Sequence, residues 1–278
     1  MHKKIEKLEE TAIQLEVFAV DVVAATVPGM EHILPGKPLW KNNQDGFAIA
    51  HCKDGGVIAV VCDGCSTGVM TELGAMIGAR QLVHLLDELL AKMSVSSLDW
   101  DKVRDEFVRR LVLIVRTLGG EYYETLKTFQ FTTVGFILTP TDTVVFHFGD
   151  GLYMINGQVH RVGPYEDNEP PYIIYTITGS RVFDRDPGLR HFQVIGMPTD
   201  TIQTIGVGTD GGQDLIDAEA KCFPGTEELI GPIQRVFADP FFENPDALRR
   251  HLSKANKETV DERSKIKPGF LSDDTTLV

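Results

Sequence analysis

The sequence predicts an α+β fold in which antiparallel sheets are covered by helices, and three features carry that expectation. Apolar, β-branched runs come in pairs around tight turns: GFAIAH and VIAVVC about CKDGG, and LYMI and QVHRV about Asn156-Gly157, a type I′ hairpin signal. Two long amphipathic patterns follow one another between strands instead of alternating with them, which is not the order that builds a parallel sheet. No stretch rich in Gly, Ser or Pro marks a linker, so one domain is expected over residues 1–278.

In chain order, residues 4–10 alternate Lys and Glu at helical spacing, and the β-branched run TAIQLEVFAVDVVAATV then predicts an edge strand. VPGMEHILPGKP reads as a loop punctuated by Pro and Gly, and the first hairpin pairs residues 46–51 with 57–62. A helix is expected over 71–92, with Gly74, Ala75, Gly78 and Ala79 on one face for close approach to a sheet. The run 94–97 breaks it, and a second helix over 99–118 ends at Gly119 and Gly120.

Residues 131–163 read as an antiparallel meander, FTTVGFILT, TVVFHFG, LYMI and QVHRV in succession. Pro164 to Asn168 and Pro170-Pro171 form a loop before YIIYTIT, and 179–188 is a polar loop of the kind that frames a site. A strand is expected over 202–208, then two or three short helices interrupted by prolines within 218–260, a loop at DERSKIKPG, and TTLV as a closing strand.

Apolar residues make up 42% and charged residues 24% of the chain, an ordinary globular composition. No run approaches the ~20 apolar residues of a membrane span, and MHKKIEKLEE has no apolar secretion-type stretch; the expectation is cytoplasmic, with no membrane partner. A net charge of -13 without a basic stripe argues against a nucleic-acid partner. The four cysteines, Cys52, Cys62, Cys65 and Cys222, are too few and scattered for a disulfide scaffold. Cys62 and Cys65 form a CxxC with no second pair to complete a zinc site, so reduced thiols are expected.

The organising stretch is VIAVVCDGCSTG, in which a buried strand delivers Asp63 rigidly to its own end. Asp45 opens GFAIAH, Asp150 follows TVVFHFG, Asp210 follows TIQTIGVGT, and Asp273 with Asp274 precedes TTLV. The first hairpin places Asp45 and Asp63 side by side, and like charges at that distance call for a shared proton or a cation. Carboxylates without His or Cys at ligand spacing suit Mg²⁺ or Mn²⁺ rather than zinc. Two such ions would activate a water for in-line displacement at phosphorus and would invert the sign of an acidic site toward an anionic substrate.

NQDGFAI, VVCDGCSTG, FTTVGFIL, FGDGLYMING, GTDGGQDLI and DDTTLV occur in the order of the signature segments of one known family. From Asn43 to Val278 the chain resembles the metal-dependent protein phosphatases, the type 2C serine/threonine class, with CDGCSTG and ELGA closest to a bacterial-type branch. The resemblance implies two packed antiparallel sheets flanked by helices, with a two-metal site at one edge of the sandwich. It implies Asp45, Asp63, Asp210 and Asp273 on the two Mg²⁺ or Mn²⁺ ions with the Gly64 carbonyl, and Asp150, Asp210 and Asp214 on a third, weaker ion. It further implies a phosphorylated protein or small phosphomonoester as substrate, attacked directly by the activated water without a phosphoenzyme.

The sequence departs from the family at two positions. Trp40 stands where the phosphate-binding Arg is usual, with Lys41 beside it as the substitute, and Cys65 stands where many members carry a His that could protonate the leaving group. Asp214 reads equally as an acid at a helix N-terminus. Thr132 and Thr133 read as strand residues that hydrogen-bond near the site, and His147 as a core histidine. Two rival functions bear weighing. A phosphatase of the haloacid-dehalogenase type needs a second Asp where Cys65 stands, and a parallel sheet. A catalytically weak phosphatase-like binding or regulatory module would account for Trp40 and Cys65 but not for the retained acids.

Overall fold

The expected hairpins form, but they distribute over two separate sheets. The structure, a computed structural model, describes residues 18–33, 42–260 and 265–278. The elements in order are β1 (Ala25–Val27), α1 (Met30–Ile33), β2 (Asp45–His51), β3 (Val57–Gly64), α2 (Thr71–Leu90), α3 (Trp100–Leu118) and α4 (Tyr122–Lys127). Next come β4 (Phe131–Leu138), β5 (Asp142–Phe148), β6 (Gly151–Ile155), β7 (Gln158–Val162), α5 (Tyr175–Thr178), α6 (Arg181–Arg185) and β8 (Gln193–Pro198). The chain continues through β9 (Ile205–Gly208), α7 (Gly212–Asp217), α8 (Asp239–Glu243), α9 (Ala247–Ala255), β10 (Thr259–Val260), β11 (Ile266–Lys267) and β12 (Thr275–Leu277). One five-stranded sheet runs β2-β3-β4-β5-β8 and the other β1-β12-β9-β6-β7, and every pairing within them is antiparallel.

Strand periodicity sorts the side chains into layers. Along β3, Val57, Ala59 and Val61 enter the core between the sheets, where Val134, Phe136 and Val207 meet them. Ile58, Val60 and Cys62 point the other way, against α2 and α3. The outer face of the second sheet buries Leu152, Met154 and Leu277 under α7 and α9 through Leu215, Leu248 and Leu252. The result is an α-β-β-α sandwich. α3 shows why such a helix forms where it does. Asp99 caps it by accepting from the Lys102 N–H at 3.2 Å, the stripe Val103, Phe107, Leu111 and Val115 is buried, and Gly119 (φ 76°) ends it.

Several expectations are corrected. The edge strand expected over the first run is only β1, because residues 18–24 are not regular strand; the start of that run and the helical spacing at 4–10 lie outside the described residues. The meander is not one sheet. β4 and β5 belong to the first sheet and β6 and β7 to the second, and the chain crosses between them at Gly149 (φ 94°) and Gly151 (φ 136°), a backbone that L side chains rarely adopt. α1, α4, α6 and β8 arise where no element was expected, α6 within the loop expected over 179–188, each too short or too exposed to leave a clear period in the sequence. The loop at DERSKIKPG carries β11, and 261–264 lie outside the described residues. Among the described residues, no helix is long and apolar enough to cross a membrane.

Candidate functional site

Register builds the site. β2 and β3 pair so that Asp45 faces Asp63, and Thr132 of β4 pairs with Asp63 on its other side. Asp63 shares the parity of Val61 and Ala59, so it points into the gap between the sheets at the end where the apolar filling stops. From the facing sheet, Asp150 sits in the crossover between β5 and β6, Asp210 lies two residues past the end of β9, and Asp273 two residues before β12. A side chain at Gly149 would meet Thr132 at 2.6 Å and one at Gly151 the Gly208 carbonyl at 2.8 Å, so only glycine lets the backbone carrying Asp150 lie against both sheets.

Hydrogen bonds lock this end of the sandwich. Thr209 Oγ1 donates to Asp45 Oδ2 at 2.8 Å and in turn accepts from the Thr276 N–H at 3.0 Å, joining β2 to β9 and β12. Thr276, Thr26 and Asn43 continue the chain of contacts to β1, each at 2.7 Å.

The electrostatics are those of an acid cluster short of positive charge. Burial raises the Asp45 carboxyl well above the usual range, and the neighbouring Asp274 adds to it. Asp63 is raised by burial and then by Asp210, Asp45, Asp273 and Asp150 in turn, so the five acids face a common space. Burial with Asp210 brings Asp150 to about 7 and Asp273 to about 6. Asp210 stands exposed at the mouth of the cleft, yet the cleft walls still raise its carboxyl. Among the described residues none of the five has a Lys or Arg partner; His32 alone approaches, its Nε2 3.7 Å from Asp273 Oδ1.

This donor set fits hard divalent cations. Asp45 Oδ1 and Asp150 Oδ1 are buried without a hydrogen-bond partner, a costly state for a carboxylate unless a cation or proton answers it. All the candidate side-chain ligands are oxygens, which suits Mg²⁺ or Mn²⁺. Gly64 adds backbone at the same end: a Cβ there would lie 2.7 Å from the Gln44 carbonyl and 2.9 Å from that of Thr71.

Asp214 is brought to the same corner but is already employed. Its Oδ2 accepts from the Ser272 N–H at 2.6 Å, the Ser272 hydroxyl at 2.5 Å and the Asp273 N–H at 3.2 Å, so it shapes the loop that presents Asp273. Cys65 lies half-buried beside Asp63 with its Sγ 3.3 Å from Thr67 Oγ1, and the Tyr172 hydroxyl faces that thiol. All four cysteines are free thiols. Thr133 Oγ1 contacts Cys62 Sγ at 3.5 Å on the helix side, and His147 is partly buried in β5 with its basicity lowered by burial. Lys41 and Trp40 lie outside the described residues.

The sequence reasoning missed a brace behind the acids. Asp274, only 2% exposed, accepts from the Gly29 N–H at 2.7 Å, the Gln44 N–H at 2.5 Å and His32 Nδ1 at 2.8 Å. One carboxylate thereby joins the turn before α1, the residue preceding Asp45, and the loop carrying Asp273. His32, Asp273 and Asp274 lie close enough to suggest a metal group of their own, but Asp274 already accepts three hydrogen bonds, so the trio reads as a brace. The only signal in the sequence was the doubled acid before TTLV; nothing in GMEHI marks His32 as its partner, 242 positions away.

Sandwich topology, acids at one end and oxygen-only donors point to the same group as the motifs do. The Protein phosphatase 2C family model matches residues 29–253. The chain belongs to this family. No curated protein matches it in sequence. Among solved structures it is similar to a bacterial serine phosphatase (TM-score 0.51, 14% identity, 91% of this chain and 94% of that one). It is also similar to the serine/threonine phosphatase Stp1 from Staphylococcus aureus (0.47, 13%, 91% and 91%). A third is the catalytic domain of the serine threonine protein phosphatase PstP in complex with two manganese ions (0.46, 12%, 92% and 94%). At these identities the likeness is one of fold, and the first of them carries it. The family match ends before Asp273, whose place beside the other acids comes from the β12 pairings.

Proposed function

We propose that this phosphatase 2C family member hydrolyses phosphoserine and phosphothreonine monoesters on proteins, using a metal-activated water and two Mg²⁺ or Mn²⁺ ions, with room for a third. The observation that supports it most is the convergence of Asp45, Asp63, Asp150, Asp210 and Asp273 on one space, with orphaned carboxylate oxygens and no Lys or Arg partner among the described residues. Bound cations would supply activation of water and would offset the charge of the phosphate. The protein's part is placement. Asp45 and Asp63 are fixed by strand register, Thr209 aims Asp45, Asp214 shapes the loop of Asp273, and Asp274 with His32 ties these segments together. Asp210, Asp150 and Asp214 form the corner for a third ion. Lys41 is the proposed phosphate anchor, and Cys65 occupies the position from which many family members could protonate the leaving group.

The test is phosphate release from an aryl phosphate and from a phosphothreonine peptide, after chelation and again with Mn²⁺ or Mg²⁺ restored. Activity is expected only with metal, and full activity in excess chelator would overturn the reading.

The reading of a weak, phosphatase-like binding module draws on Cys65. It stands where many family members carry a His, and a positioned acid is worth about 10² to 10⁴ in rate for an alkoxide leaving group. Cys65→His is therefore expected to raise peptide turnover relative to aryl phosphate by about tenfold or more. An unchanged ratio would show that the residue plays no part in leaving-group protonation.

A further inference from the structure

The end of the sandwich opposite the acids holds a cavity of about 800 Å³. Of the strands that lead to an acid, β9 and β12 also line this cavity, and β4, whose Thr132 neighbours Asp63, lines it from its far end. Phe136 and Leu138 come from the far end of β4, Ile205 opens β9, and Leu277 with Val278 closes β12. The volume falls within the ~300 to 1,000 Å³ of small-ligand sites, and the walls are largely apolar, as in such sites.

Its charge is one-sided. Asp21, Asp200, Asp239 and Glu243 stand exposed around it, and no Lys, Arg or His lies among its described lining residues. None of these four carboxylates takes part in an ion pair with a described residue, although exposed acids elsewhere, such as Asp217, Glu228 and Asp246, do. Scattered surface acids need no explanation, but four acids with no ion pair among the described residues, set around a ligand-sized apolar hollow, define a complement: an apolar body with a positive head.

We infer that this cavity is a second ligand site, separate from the acid cleft, that takes a small amphipathic cation. We infer further that its occupation is coupled to the affinity of the acids for divalent metal. The path is short. β9 and β12 are joined by Val207 N–H to the Val278 carbonyl at 2.8 Å, Val278 N–H to the Val207 carbonyl at 2.9 Å, and Thr209 N–H to the Thr276 carbonyl at 3.1 Å. Ile205 lies about 10 Å from Gly208 at the other end of β9, at about 3.4 Å per residue, and Asp210 follows two residues on. A ligand that orders the Ile205 and Val278 ends also orders Thr209 and the strand ends from which Asp210 and Asp273 extend, and by linkage the metal then strengthens the ligand equally. The coupling rests on the metal reading above; the site itself does not.

The experiment is calorimetry on the full, metal-free chain with phenylbutylammonium, phenylbutanol and phenylbutyrate, which share a body and differ in charge. The ammonium is expected to bind best and the carboxylate worst, with affinity for the ammonium falling as salt rises. The double variant Asp239→Asn, Glu243→Gln is expected to bind the ammonium roughly three- to tenfold more weakly while its binding of the alcohol, which reports an intact cavity, is unchanged. Asp63→Asn is expected to leave ammonium affinity as it was. An ammonium that binds no better than the alcohol, or that is lost in Asp63→Asn, overturns the site. A Mn²⁺ titration with and without the ammonium then reads the coupling: equal Mn²⁺ affinities overturn it, whereas absence of any Mn²⁺ binding would fail the metal reading and leave the site standing.

Discussion

At the scale of single residues, the acids trade stability for binding capacity. Asp63 is crowded by four other carboxylates, so in the absence of metal it is a source of repulsion, and in its presence a proposed ligand. Asp63→Asn keeps the shape and removes one charge. It is expected to abolish metal-dependent phosphate release, to raise the melting temperature of the metal-free protein, and to erase most of the rise that Mn²⁺ gives the parent. A variant that still turns over, or is still stabilised by Mn²⁺ to the same extent, contradicts the assignment. Asp274 works differently because its carboxylate already accepts three hydrogen bonds. Asp274→Asn would set an amide donor against donors already there. The expected result is a loss of about 1 to 3 kcal/mol in urea unfolding and Mn²⁺ binding about 10- to 100-fold weaker. Unchanged Mn²⁺ affinity would reduce the brace to a purely structural contact.

At the scale of elements, the small face of α2 packs as its sequence leads one to expect. A Cβ at Gly74 would lie 1.8 Å from the Thr128 carbonyl, and one at Gly78 would lie 2.3 Å from the Phe131 ring. The helix must therefore approach the segment leading into β4 more closely than any side chain permits. That β4 segment includes Thr132, the neighbour of Asp63. Gly74→Ala is expected to cost about 3 kcal/mol in denaturant unfolding, at the high end for overpacking because the obstacle is backbone. Met76→Ala on the exposed side of the same helix should change stability by less than about 0.5 kcal/mol, and comparable losses in the two variants would contradict the close approach. The crossover at Gly149 to Gly151 is the other decisive element, since it moves the chain from one sheet to the other and leaves Asp150 between them.

At the scale of the whole molecule, the acid end should govern how stability depends on pH. Asp150 and Asp273 are raised to about 7 and about 6, and Asp45, Asp63 and Asp210 are raised as well, all above their unfolded values. A carboxyl whose folded pKa is raised binds more protons in the folded than in the unfolded state. Its stabilising contribution is fully present below about pH 4 and is lost as pH climbs through the folded value. The metal-free protein is therefore expected to lose stability between about pH 4 and pH 7. With Mn²⁺ present the slope should reverse, because the metal competes with protons for the same oxygens. Melting curves across that range, with chelator and with Mn²⁺, read both slopes; a flat metal-free profile would show that the five carboxylates do not share one space.

Much of this was legible in the amino-acid order because the signals are local. A tight turn sets the register of its hairpin, so CKDGG alone placed Asp45 against Asp63. The apolar period of α3 placed its buried stripe, and strand ends marked which aspartates would be held rigidly. Tertiary structure alone decided the rest. It moved LYMI and QVHRV to a second sheet, and it paired β1 with β12 across some 250 residues. It also joined Asp274 to His32, and opened a hollow at the far ends of β4, β9 and β12. None of these depends on a neighbour in sequence. Each is settled by which buried faces and unpaired backbone edges can be satisfied together, a condition that exists only once distant segments meet.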